Sequence, residues 1–191
     1  MVIGVLGIQG DYAKHQEMLN RLEIESKLVR TPQELSECTG LIIPGGESTT
    51  MVKQLKEIEL FEPLRAFGKT NPVFGTCAGL ILLSKKVLNH PVDSLQLIDI
   101  EVERNAYGRQ IDSFIDMVDI SLNGTTRGYE GVFIRAPKII KIGEQVKVLA
   151  RHGEEIVMAE EGNVLVATFH PELTDDPSVH HYFVKKVHEV L

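Results

Sequence analysis

The amino-acid sequence predicts an α/β protein, a three-layer sandwich on a mixed, mainly parallel central sheet, and three features predict it. Over the first 86 residues, short β-rich apolar runs alternate with helical patterns, as a parallel sheet covered on both faces requires. Beyond Pro91, strands follow one another without long helices between them, so antiparallel additions are expected there. The 191 residues, 43% hydrophobic and 25% charged, suffice for one substantial core, and no Pro/Ser-rich or charged linker divides them. One domain over 1–191 is expected.

The elements follow in order. Val2 to Ile8 is a continuous β-rich run, and Tyr12 to Ile24 carries Met18, Leu19 and Leu22 at helical spacing. Lys27 to Arg30 is a short extended run, Pro32 to Glu37 a helical turn, and Leu41 to Ile43 an apolar strand stopped by Pro44-Gly45-Gly46. Ser48 and Thr49 are N-cap types opening a helix through Leu60. After the breaker Asn71-Pro72, Val73 to Gly75 is a buried-type strand and Ala78 to Lys86 a helical run. Further strands are expected at Leu97 to Val102, Ser113 to Ile120, Val132 to Ile134, Val146 to Ala150, Ile156 to Ala159 and Val164 to Phe169, with a hairpin turn at 160–163. Pro177 begins the final helix, with Val179, Phe183, Val184 and Val187 on one face.

Composition excludes several functions. Lys and Arg number 20 against 27 Asp and Glu, a net charge of −7, and no basic cluster interleaved with aromatics exists, which argues against nucleic acid. The apolar runs fall far short of the roughly 20 residues that span a bilayer, so no membrane span is expected. Met1 to Gly10 lacks a basic n-region and a cleavage site and reads as a first strand. The only cysteines, Cys38 and Cys77, form no C-x-x-C pair; neither a disulfide framework nor a zinc site is expected, and a reducing cytoplasm fits best. Asn123-Gly124-Thr125 matches a glycosylation sequon but reads more simply as a turn.

The strongest chemical signal is Gly75-Thr76-Cys77-Ala78-Gly79 between a strand and a helix, a cysteine version of the G-x-S-x-G nucleophile elbow. The glycines allow the tight turn, the helix N-terminus favours the thiolate, and the Ala78 N–H is placed to stabilise an oxyanion. Cys38 lacks this context and reads as structural. Of seven histidines, only His170 ends a strongly apolar strand. In His170-Pro171-Glu172 the proline is expected to hold an extended backbone, so that base and orienting carboxylate project together. His180 and His181, with Asp175 and Asp176 nearby, lack metal-ligand spacing, and no metal is expected. Gly45 and Gly46, in Pro44 to Thr50, read as a second oxyanion donor and part of a substrate pocket, since the Walker pattern is absent. Arg104 and Arg135 each end a strand, and a guanidinium fork suits an α-carboxylate, although a solvated surface arginine is the ordinary alternative.

Taken together, Pro44 to Thr50, Gly75 to Leu80 and Phe169 to Leu173 resemble the class I glutamine amidotransferases with their Cys-His-Glu triad, a flavodoxin-like fold. The segments Glu103 to Gln110 and Phe133 to Pro137 are more particular to the vitamin B6 branch, the glutaminase subunits of pyridoxal 5′-phosphate synthases. The resemblance runs from Gly4 to the last helix. It implies Cys77 as nucleophile, His170 and Glu172 as its partners, and glutamine contacts from Gly46, Glu47, Ser48, Arg104, Ile134 and Arg135. It also implies hydrolysis of L-glutamine to L-glutamate and ammonia without a cofactor, the ammonia passing to a separate barrel-shaped synthase subunit in a hetero-oligomer. A glutaminase subunit of another amidotransferase, or a different cysteine hydrolase on the same fold, remains the alternative.

Overall fold

The computed structural model describes residues 1–104 and 113–190. Twelve strands are described: β1 (Ile3–Leu6), β2 (Ser26–Val29), β3 (Gly40–Ile43), β4 (Val73–Thr76), β5 (Ser84–Val87), β6 (Ile98–Glu103), β7 (Ser113–Leu122), β8 (Thr125–Ile134), β9 (Lys138–Ile142), β10 (Lys147–His152), β11 (Glu155–Glu161) and β12 (Val164–Ala167). The helices are α1 (Tyr12–Arg21), α2 (Pro32–Ser36), α3 (Ser48–Glu57), α4 (Phe61–Gly68), α5 (Ala78–Leu83) and α6 (Ser178–His188), with a 3₁₀ turn at Pro171–Leu173.

A nine-stranded sheet runs in the order β2-β1-β3-β4-β12-β11-β10-β7-β8. Its first five strands are parallel, and from β12 outward every pairing is antiparallel. Side chains alternate across the parallel strands. Ile3, Val5, Ile42, Phe74 and Leu165 meet Leu19 of α1 and Val179, Phe183 and Val187 of α6 on one face. Leu41, Ile43, Val73 and Val166 meet Met51 and Leu55 of α3, Leu64 of α4 and Leu80 of α5 on the other. Period-two alternation between two apolar faces makes the three layers, as the sequence predicts.

Several boundaries differ from expectation. The helical run at Ala78 ends at Leu83, and Ser84–Val87 is a strand of a separate three-stranded sheet, β5-β6-β9. Ser84 Oγ donates to the Ile81 carbonyl at 2.8 Å and its backbone is extended, so pairing with β6 overrides the helix preference of Lys85-Lys86. β8 begins at Thr125 rather than Val132, and β9 is not among the expected strands. Exposed polar residues along β8 hide its alternation. Asn123 and Gly124 both have positive φ, 51° and 80°, the geometry of a two-residue hairpin turn. No helix among the described residues is long and apolar enough to cross a membrane.

Candidate active site

The parallel strands end at one edge, and four of the loops there meet: Gln9-Gly10 after β1, Pro44 to Glu47 after β3, Cys77 after β4 and Thr168 to His170 after β12. The order reverses between β1 and β3, whose following helices lie on opposite faces, and such a switch point opens a crevice at the carboxyl edge. A cavity of about 290 Å³ lies there, lined by Gly10, Gly45, Gly46, Glu47, Ser48, Cys77, Arg104, Ile134, Arg135 and His170, with Asp11 and Ile81. Its size is near the lower end of the ~300–1,000 Å³ usual for small-molecule sites.

Cys77 sits between β4 and α5 with φ 49° and ψ −104°, a strained conformation for a residue with a side chain. Its N–H donates to the Ala167 carbonyl at 2.9 Å, and Sγ lies 3.8 Å from the Ile134 carbonyl oxygen. The flanking glycines are required sterically: a Cβ on Gly79 would stand 2.1 Å from the Ile43 carbonyl oxygen, and one on Gly75 2.6 Å from the Gly79 carbonyl carbon. Ala78 is the first residue of α5, where an N–H has no acceptor within the helix. Cys38, by contrast, donates to the Glu34 carbonyl, and burial pushes its thiol up to about 11; it is inert packing.

His170 Nδ1 lies 2.7 Å from Glu172 Oε1, with both residues buried. The route differs from expectation, because the backbone after His170 is a 3₁₀ turn closed by Leu173 N–H on the His170 carbonyl and the side chains meet across that turn rather than along an extended segment. Burial works against the imidazolium, yet Cys77 and Glu172 outweigh it and raise His170 to about 10. Burial likewise opposes the Glu172 carboxylate, but the hydrogen bond and charge of protonated His170 hold it below the ordinary carboxylate range.

The α3 cap also differs. Ser48 is the first helical residue and Glu47 the N-cap, its carboxylate accepting from the Thr49 and Thr50 N–H groups. Oε1 of the same carboxylate accepts from Arg104 Nη2 at 2.8 Å, and the Glu47 N–H donates to Gln9 Oε1 at 2.8 Å. Although burial disfavours its charge, the Thr49 and Thr50 hydrogen bonds bring Glu47 to about 2. Two buried polar atoms of cavity-lining residues, Ser48 Oγ and His170 Nε2, have no hydrogen-bond partner among the described residues, so a bound ligand can satisfy both.

The structure therefore brings together Gly45, Gly46, Glu47, Ser48, Cys77, Arg104, Ile134, Arg135 and His170, with Glu172 behind His170. Of the Glu103 to Gln110 segment, Asn105 onward lies outside the described residues. Arg135 is exposed, with φ 42°. The sequence places Gln9 at the end of the first strand, on the same edge as Cys77, but not among the site contacts; its bond to the Glu47 N–H depends on the fold. His181 is exposed and His180 buried, and the described residues contain no group of three or more His, Cys, Asp or Glu that could hold a metal.

The SNO glutamine amidotransferase family matches residues 5–189. The chain belongs to that family. It is 53% identical over 188 residues to a protein of Thermosipho africanus named pyridoxal 5′-phosphate synthase subunit PdxT, covering 98% of this chain and 99% of that one. A Fervidobacterium nodosum protein of the same name is 52% identical over 190 residues, covering 99% and 98%. Among solved structures, a glutamine amidotransferase superposes with a TM-score of 0.92 at 43% identity, covering 98% of this chain and all of that one. The amidotransferase fold is shared by a Thermoplasma acidophilum protein described as a putative GMP synthase subunit, with a TM-score of 0.71 and 15% identity over 99% of this chain and 94% of its own.

Proposed function

We propose that the chain hydrolyses L-glutamine to L-glutamate and ammonia through a glutamyl thioester on Cys77, and supplies the ammonia to a synthase subunit that builds pyridoxal 5′-phosphate. The observation that carries the reading is the shared cavity: Cys77 on its strained turn, His170 held by Glu172, and the guanidinium-bearing Arg104 and Arg135 line one small chamber. The Cys77 thiolate attacks the γ-carboxamide carbon, and the N–H groups of Ala78 and the Gly45-Gly46 loop take the oxyanion. Protonated His170 gives its proton to the leaving nitrogen, and ammonia departs. His170, now neutral, takes a proton from water, which hydrolyses the thioester and returns the thiolate. Glu172 fixes the ring orientation and keeps Nδ1 protonated. The glutamine carboxylate pairs with Arg104 or Arg135, and Ser48 Oγ hydrogen-bonds the substrate.

The relatives named as subunits of pyridoxal 5′-phosphate synthase, matched over nearly their whole length, support a synthase subunit as the ammonia acceptor; the barrel shape of that partner comes from the family resemblance alone. A cytoplasmic setting keeps the Cys77 thiol reduced. Glutamate release from the purified chain, alone and with the synthase subunit, tests the reading: weak turnover alone and at least several-fold activation are expected. No glutamate release in either case would overturn it.

A further inference from the structure

We infer that His15 is a positioning residue for this site, steering the outer oxygen of the Glu172 carboxylate through a buried imidazole pair with His180. The inference rests on the glutaminase reading above. His15 on α1 and His180 on α6 are both fully buried, and nothing in the proposed mechanism uses either. His15 Nδ1 lies 2.9 Å from His180 Nε2. His15 Nε2 lies 3.4 Å from Glu172 Oε2 and 3.4 Å from Oγ1 of Thr76, the residue before Cys77. The Phe74 ring stands edge-on to both imidazoles, with centroids 6.5 Å and 6.1 Å away.

The donor and acceptor inventory orders the protons. An ionised carboxylate only accepts, so His15 carries its proton on Nε2, facing Glu172 and Thr76. Nδ1 then accepts, and His180 donates to it from Nε2. This leaves His180 Nδ1 a bare lone pair, and that atom is buried without a hydrogen-bond partner among the described residues. Burial holds His15 below its ordinary value and, together with His15, brings His180 down to about 3, so both rings are neutral in the working range. A neutral N–H directed at Oε2 is a dipole without a charge: it steers the carboxylate toward His170 without competing with the imidazolium for it. Glu172 Oε2 makes no hydrogen bond among the described residues; His170 fixes Oε1 at 2.7 Å, and the His15 N–H, 3.4 Å away, acts on the outer oxygen electrostatically.

The test compares His15→Leu and His15→Gln, each alone and combined with Glu172→Gln, in complex with the synthase subunit, reading kcat, KM for glutamine and thermal midpoint. His15→Leu is expected to lower kcat on the order of tenfold with KM unchanged. His15→Gln, whose amide N–H can stand where Nε2 stood, recovers most of that loss. In the Glu172→Gln background His15→Leu costs nothing further, because the residue acts only through the carboxylate. Unchanged kcat in His15→Leu, equal kcat losses in both backgrounds, or His15→Gln no better than His15→Leu would overturn the inference. If His15→Leu does not fold, His15→Gln and His15→Asn decide: the Asn amide reaches toward His180 rather than Glu172, so Gln must exceed Asn, and equal rates would overturn it. Turnover surviving Cys77→Ala would instead sink the glutaminase reading, which keeps the two failures apart.

Discussion

Arg104 Nη2 donates to Glu47 Oε1 across 2.8 Å, tying the end of β6 to the first turn of α3. The same carboxylate caps α3, so one side chain positions both the guanidinium and the loop that follows Gly45-Gly46. Glu47→Ala should lose about 1 kcal/mol of stability as a cap and raise KM for glutamine as Arg104 loses its anchor. Thermal denaturation and steady-state kinetics check this; a lower thermal midpoint with unchanged KM would mean that Arg104 holds its place without Glu47.

Arg104→Ala and Arg135→Ala address the substrate grip. The arginine that pairs with the substrate carboxylate should, on truncation, cost roughly 1.5–3 kcal/mol, ten- to hundredfold in KM, with kcat largely kept. Unchanged KM in both variants would remove both arginines from the substrate grip and leave Arg104 as the partner of Glu47 alone.

The histidines set a pH dependence with a defined sign. His170 is raised from 6.5 to about 10, so the stability linked to its proton is present below pH 6.5 and lost as pH rises toward 10. His180 is lowered from 6.5 to about 3 and His15 in the same direction, so below pH 6.5 the unfolded chain takes up protons that the buried rings refuse, and stability falls. Glu172, lowered from 4.5 to about 2, adds a further loss below 4.5. These groups together place the maximum near pH 6.5. Denaturation midpoints across pH should show it, and His170→Asn should remove the decline between about pH 6.5 and 9, above which Cys38, raised from 9.0 to about 11, adds a loss of its own; a decline over that same range that persists in the variant would assign it to other groups.

Much of this was legible in the sequence because local chemistry carried it. The apolar run at Leu41 to Ile43 fits a buried parallel strand, and the two glycines around Cys77 leave room for little besides a tight strand-to-helix turn; Val164 to Phe169, expected among the antiparallel additions, pairs antiparallel with β11 but parallel with β4. What escaped depended on distant partners. Ser84–Val87 is a strand because β6 lies beside it, and Glu47 displaces Ser48 as the cap because Arg104 and two threonines meet its carboxylate. His15 shares its helical stripe with Met18, Leu19 and Leu22 and looks like a core residue; only the fold brings α6 and the 3₁₀ turn against it.

Gly10 tests the loop that holds the proposed oxyanion donors. Its φ is +75° and a Cβ there would stand 1.8 Å from the Gly45 carbonyl oxygen, so any side chain must displace the Gly45-Gly46 peptide. Gly10→Ala should therefore lower glutaminase activity both in the isolated chain and in complex, measured as glutamate release. Full activity in both states would show that the loop relaxes without consequence.

The central claim is that Cys77 carries the glutamyl group. Loss of turnover should be complete in Cys77→Ala, comparably severe in His170→Asn and milder in Glu172→Gln, with Cys38→Ala unaffected. The most direct measurement is mass spectrometry of peptides from the protein quenched in acid during turnover of glutamine. The account predicts a gain of one glutamyl group on the peptide containing Cys77, absent from Cys77→Ala; a glutamyl adduct on Cys38 instead, or undiminished ammonia release from Cys77→Ala, would contradict it.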